Sequence, residues 1–255
     1  MRTFLRSFGL GCSVSLATLA VTTPAFAQDQ PPAVTISGGV TVVSDYRFRG
    51  ISQTDKTPAL QGSITVAHES GFYASVWGSS VRGYVVANGN TSQELDLILG
   101  FKKTFGGTTF DAGLLYYAYP KSGPGNTNFA EPYVAISQAI GPVTAKATVA
   151  YAPKQRALAL DQVGARNDNV YLAGDLSAGI PGTPVSVSAH IGHTWGPSWL
   201  SIGKEYTDYS VGASATFKSI TVGVQYVDAD GAPFITPSGK DAANGAVVAT
   251  VGVTF

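Results

Sequence analysis

Apolar and polar residues alternate with a period of two along most of this chain, and that alternation excludes most architectures. In residues 247–255, VVATVGVTF, the side chains of Val247, Ala249, Val251, Val253 and Phe255 fall on one face of an extended segment. Val248, Thr250, Gly252 and Thr254 fall on the other. Near the start of the described pattern, Val34, Ile36, Val40 and Val42 alternate with Thr35, Ser37, Gly39 and Thr41, and the alternation runs on through Tyr46 and Phe48. Leu95, Leu97, Leu99 and Phe101 oppose Glu94, Asp96 and Lys102 in the same way. A helix would repeat every 3.6 residues, whereas a repeat of two marks strands that meet unlike surroundings on their two faces.

The turns between these segments alternate in length. Tight turns near residues 70, 106, 141, 182 and 219 take turns with longer polar loops, so hairpins repeat at a spacing of roughly 35 to 41 residues. The count is roughly twelve antiparallel strands, several of them about 9 to 11 residues long, which is the length a tilted strand needs to cross a bilayer. Short turns at one end and long loops at the other are the asymmetry of an up-and-down transmembrane β-barrel. A soluble sandwich or lipocalin-like barrel is the competing architecture.

Composition supports the barrel. Charged residues make up 13% of the chain, about half the usual share, while it holds 30 Gly, 12 Tyr and 12 Phe and no long apolar run after its beginning. A wall that needs apolar residues only at alternate positions accounts for both. At the beginning, Arg2 and Arg6 precede an apolar stretch over residues 8–21, and Ala25-Phe26-Ala27 fits a signal-peptidase site. We therefore expect a signal peptide at 1–27 and one barrel domain at 28–255. The apolar stretch is shorter than the ~18 residues of a membrane span. Cys12 lies inside it, so the mature chain has no cysteine for disulfides, thiolate catalysis or metal ligation. Removing the two signal arginines leaves a formal charge of −2, which speaks against a nucleic-acid partner.

An amphipathic last strand that ends on an aromatic residue resembles the assembly signal of bacterial outer-membrane barrels, and Phe255 is the expected closure signal read by the barrel assembly machinery during insertion. The segment Ser44-Asp45-Tyr46-Arg47-Phe48-Arg49-Gly50-Ile51-Ser52-Gln53-Thr54, followed by Pro58-Ala59-Leu60-Gln61-Gly62, resembles the N-terminal signature of the TorF family, porin-type proteobacterial proteins of uncharacterised function. The resemblance implies a barrel in the cell outer membrane, surrounded by its lipids, with a channel role. It brings no catalytic residues and no substrate.

Strand parity predicts which charges face the lumen: Asp45, Arg47, Arg49, Glu94, Asp96, Lys102, Asp111, Lys146 and Asp175. With Asp45, Arg47 and Arg49 on one face of the first strand, two guanidiniums against one carboxylate would attract anions near the external mouth. The alternative is an ion-pair network that braces the wall. Ser188 and His190 share the inward face of one strand, with Asp175 and Asp208 at inward parity on its neighbours, which is the one constellation here resembling a hydrolase triad. A lipid hydrolase would have to present its serine to lipid, and this parity presents it to the lumen. Histidines 190 and 193 lie on opposite faces, which removes a paired metal site. Trp195 and Trp199 are expected at the lipid interface. The reading is a non-enzymatic porin, without cofactor or metal, that passes small hydrophilic solutes. Two alternatives are an outer-membrane lipid or ester hydrolase using Ser188 and His190, and a plugged barrel whose external loops bind a partner. Oligomeric state is not encoded in these patterns.

Overall fold

A computed structural model of the chain describes residues 32–86, 91–123, 127–231 and 233–255; the predicted signal peptide, 1–27, lies outside them. Its strands are β1 (Val34–Val43), β2 (Arg47–Phe48), β3 (Ile51–Ser52), β4 (Ala59–His68), β5 (Phe72–Ser80), β6 (Gln93–Phe105) and β7 (Thr108–Ala118), then β8 (Phe129–Ile140), β9 (Val143–Gln155), β10 (Asn167–Gly179), β11 (Val185–Trp195), β12 (Tyr206–Phe217), β13 (Ile220–Ala229) and β14 (Ala246–Thr254). Twelve of these form a closed barrel in which every strand pairs antiparallel with its neighbours and β1 pairs with both β4 and β14. The remaining two, β2 and β3, form a separate small hairpin.

Burial along the strands is inverted relative to a soluble protein. On β6 the outward Leu99 is 65% exposed, as are Ile36 on β1 and Phe72 on β5, while the inward Glu94 and Asp96 are almost completely buried. Such a belt of exposed aliphatic and aromatic side chains is stable only against an apolar solvent. Closing the sheet removes the edge that an open sheet would leave, so each backbone amide in the wall finds a partner strand.

The seam forms where β14 meets β1, with a register running from Gly39 opposite Thr254 to Val43 opposite Thr250. Phe255 extends it: its amide donates to the Gly38 carbonyl at 3.0 Å, and the Gly38 amide donates to the Phe255 carbonyl at 3.1 Å. The Phe255 ring lies over Gly38, where an added Cβ would come within 2.7 Å of the ring and 2.6 Å of the Ser63 carbonyl. Glycine at 38 thus leaves room for the terminal aromatic ring.

All the predicted tight turns join strands at one end of the barrel, and the strand ends at the other are those joined by the longer stretches of sequence, 44–58, 81–92, 119–128, 156–166, 196–205 and 230–245. One boundary differs from the sequence reading. The first wall strand stops at Val43, and Asp45, Arg47 and Arg49 do not continue its polar face; they belong to the hairpin β2–β3, which folds into the lumen. Alternation is blind to this, because an extended segment that leaves the sheet keeps the same period. The break is made by Arg49 and Gly50, whose φ values of 47° and 81° are the two positive angles that a type I′ turn requires.

Candidate functional site

The hairpin is tied together by Asp45. Its carboxylate accepts from Arg47 Nε at 2.8 Å, from Ser52 Oγ at 2.5 Å and from Thr54 Oγ1 at 3.2 Å. Arg47 spends its other nitrogens on carbonyls, donating to Gly50 at 2.9 Å and to Asn244 at 3.0 Å. Around this knot, Gln53 N donates to the Tyr46 carbonyl, Ser52 N to the Ala242 carbonyl, and Arg82 N to the Gln53 carbonyl. The acid, the arginine and the two hydroxyls of the segment 44–54 therefore satisfy one another in a place where water cannot.

From this base the hairpin crosses the lumen. Tyr46 donates to Glu94 Oε1 on β6 at 3.1 Å and packs against Trp77 of β5 with ring centroids 5.4 Å apart. Phe48 meets Tyr117 of β7 edge-on. Arg49 reaches the far wall, where Nη2 lies 2.6 Å from Glu131 Oε1 on β8, Nη1 donates to Asn169 Oδ1 on β10 at 3.0 Å, and the guanidinium sits 4.0 Å from the centroid of the Tyr171 ring. A planar, five-donor group suits this combination of fork and stack, which a lysine could not reproduce. At the tip, Gly50 touches a third part of the wall: an added Cβ would lie 2.9 Å from Asp208 Cβ on β12 and from both Ala229 Cβ and the Asp228 carbonyl oxygen on β13.

The side chains of Arg49 and Glu131 are 4% and 3% exposed. Burial alone would lower the Arg49 pKa, but the charge of Glu131, with help from Tyr117 and Tyr171, overrides it and holds the guanidinium above its ordinary value. Arg47 and Arg49 are thus both engaged in ion pairs, with Asp45 and with Glu131. Glu131 was absent from the sequence-based set of lumen charges. Parity with Phe129 and Tyr133 would have found it, but the inward face of β8 is aromatic and reads from sequence as an apolar face.

The remaining predicted charges fall below the hairpin or beside it. Glu94 and Asp96 are buried on β6. Lys102 on β6 pairs with Asp111 on β7 at 3.2 Å, and Tyr73 donates to Asp111 at 2.9 Å and hydrogen-bonds Tyr133. Lys146 on β9 stands beside Asp175 on β10 in register, and His190 on β11 follows Asp175.

His190 sits between two carboxylates, with Nδ1 2.7 Å from Asp175 Oδ1 and Nε2 3.0 Å from Asp208 Oδ1; Tyr171 OH also lies 3.0 Å from Nε2. Both ring nitrogens are occupied, so neither is placed to take a proton from Ser188, and no hydrogen bond between Ser188 and His190 occurs among the described residues. The triad-like parity does not become a triad. Trp195 stays on the outer face, but Trp199, also expected at the lipid interface, turns inward and donates Nε1–H to the Val85 carbonyl at 2.8 Å. With Phe48, Ile51, Tyr84, Phe129 and Phe234 it lines a small recess between the hairpin and the long loops.

Residues 27–255 match the model of a family described as bacterial protein of unknown function (Gcw_chp). The chain belongs to this family. No curated protein matches it by sequence. Among solved structures it is similar to the NanC porin, with a TM-score of 0.57 at 15% identity over 87% of this chain and 99% of that one. It is also similar to the KdgM porin, solved in complex with disordered oligogalacturonate, with a TM-score of 0.54 at 9% identity over 86% and 97% of the two chains. These likenesses establish the porin-type barrel of this family member and nothing finer.

Proposed function

We propose that this protein is an outer-membrane channel for small hydrophilic solutes, with its long loops outside the cell and the 44–58 hairpin as its constriction. The observation that carries the reading is a closed barrel whose outward residues are apolar and whose inward residues are Ser, Thr, Tyr, Lys, Asp and Glu. A lumen filled only for stability would not leave inward lysine and serine side chains partly accessible in its short-turn half, as Lys146, Ser137 and Ser188 are. The TorF-like residues 44–54 and 58–62 and the expected signal peptide support placement in the outer membrane. Passage would be by diffusion, with no chemical step, and Asp175, His190 and Asp208 would brace the wall.

A plugged barrel is the second reading, and the completeness of the hairpin's bonding favours it. Single-channel recording of refolded protein in a planar bilayer separates the two. Steady conductance from the intact chain supports the channel. Silence of the intact chain with conductance after excision of the hairpin supports the plug, and silence of both would overturn the channel reading.

A further inference from the structure

Among the described residues, the inward-facing cations of the hairpin and the wall are paired, with Lys146 the exception. Arg47 is held by Asp45, Arg49 by Glu131, Lys102 by Asp111, and the His190 ring by Asp175 and Asp208. Lys146 forms no ion pair or hydrogen bond among the described residues, although Asp175, Asp111 and Lys102 lie within electrostatic range of it. It is half-buried on the inward face of β9.

Its surroundings follow from register. Lys146 stands between Ser137 of β8 and Asp175 of β10. One level nearer the short turns, Thr144 of β9, Ser177 of β10 and Ser188 of β11 are successive partners across three adjacent strands. All four hydroxyl side chains are partly accessible, and none is hydrogen-bonded among the described residues. Asp175 commits one carboxylate oxygen to His190, and its side chain remains 37% exposed. The level thus offers one ammonium, a row of hydroxyls that can donate or accept, and one carboxylate oxygen that can only accept.

We propose that Lys146, Thr144, Ser177 and Ser188, with Asp175 beside them, form the solute-contact site of the lumen and that it takes small hydroxylated monocarboxylates. The ammonium meets the solute carboxylate, the serine and threonine hydroxyls meet its hydroxyls, and Asp175 accepts from a solute hydroxyl while repelling a second negative charge. This assignment rests on the channel reading and deepens it. It also gives Ser188 a role that requires no catalysis.

The test uses the intact protein and potassium gluconate, with gluconate as the probe. In a planar bilayer under a salt gradient, Lys146→Met should lower the permeability of gluconate relative to potassium by about threefold or more, as loss of a lumen charge does in a narrow pore. In detergent, intact protein treated with an amine-reactive reagent and read by mass spectrometry should show Lys146 labelling slowed by gluconate and unaffected by mannitol. Wild type and Lys146→Met that conduct with the same permeability ratio would overturn the site and leave the channel standing. A silent wild type whose Lys146 is still protected by gluconate would overturn the channel and leave the site, and absence of protection would overturn the site.

Discussion

The two halves of this barrel obey one alternation and use it differently. In the long-loop half, two inward acids are matched by groups delivered from the hairpin, Glu94 by Tyr46 and Glu131 by Arg49, and both are buried. In the short-turn half the described lumen residues come from the wall, where Lys102 pairs with Asp111 while Lys146, Ser137, Thr144, Ser177 and Ser188 keep their polar groups unspent and partly accessible. A wall position alone does not decide whether its charge is structural or available to a solute. For Glu94 and Glu131 a second chain segment in the lumen decides it, and for Lys102 a carboxylate on the neighbouring strand does.

The largest effect should come from removing that segment. Replacing residues 45–57 with a short Gly-Ser connection would take Tyr46, Phe48 and Arg49 out of the long-loop half and make it resemble the short-turn half. Conductance should rise severalfold, and Glu94, Glu131 and Asp208, no longer faced by the hairpin, should shift the ion preference toward cations. A closed barrel with unchanged conductance and selectivity would mean that the hairpin lies aside from the solute path.

A narrower change leaves the hairpin present but removes its hold on the far wall. Arg49→Ala strands Glu131 as a buried carboxylate that keeps, among the described residues, the Tyr117 hydroxyl, which donates at 3.0 Å. Breaking a buried pair from one side costs roughly 3 to 5 kcal/mol. The loss should appear either as a lower urea midpoint for the heat-modifiable folded band or as new protease sensitivity in the hairpin. Arg49→Met combined with Glu131→Leu should recover most of it. If the single variant is as stable and protease-resistant as wild type, the clasp contributes nothing.

The barrel was readable from sequence because each wall strand meets lipid on one side and polar groups on the other, which writes a period of two into residues such as Leu95 to Lys102. The hairpin was not readable. Asp45 to Arg49 keeps that period while bonding in a different place, and only Arg49-Gly50 marks the turn. Arginine is an uncommon residue at positive φ, and it is tolerated here because Glu131, Asn169 and Tyr171 fix its side chain. The pairing of Arg49 with Glu131 spans 82 residues, and parity carries no information on which inward groups meet across a lumen. Trp199 shows the same limit, since a loop tryptophan suits a lipid interface and a loop interior equally well by composition.

The smallest predicted effect concerns the outer edge of the hairpin, where Asp55 latches it to the last long loop. Asp55 Oδ1 accepts from Thr236 Oγ1 at 2.7 Å and from Ser238 Oγ at 2.9 Å, and Lys240 Nζ donates to the Asp55 carbonyl at 2.9 Å. Burial by itself raises the Asp55 pKa, but the two hydroxyl donors and the Lys240 charge outweigh it, so the carboxyl titrates below its ordinary value. A depressed carboxyl stabilises the fold above its unfolded pKa of about 3.9, and that contribution disappears as the pH falls through the lower folded value. The latch should therefore be fully engaged at neutral pH and open only in acid. Lys240 is half in water, with a side chain 46% exposed, so screening limits the whole contribution to under about 1 kcal/mol. Hydrogen exchange of residues 233–245, followed from pH 7 to pH 3 with correction for intrinsic rates, should show protection lost at the acid end in wild type. In Asp55→Asn, protection should already be weaker at pH 7 and nearly independent of pH. An acid transition that persists unchanged in Asp55→Asn would assign it to another carboxylate and leave the hairpin anchored to the wall alone.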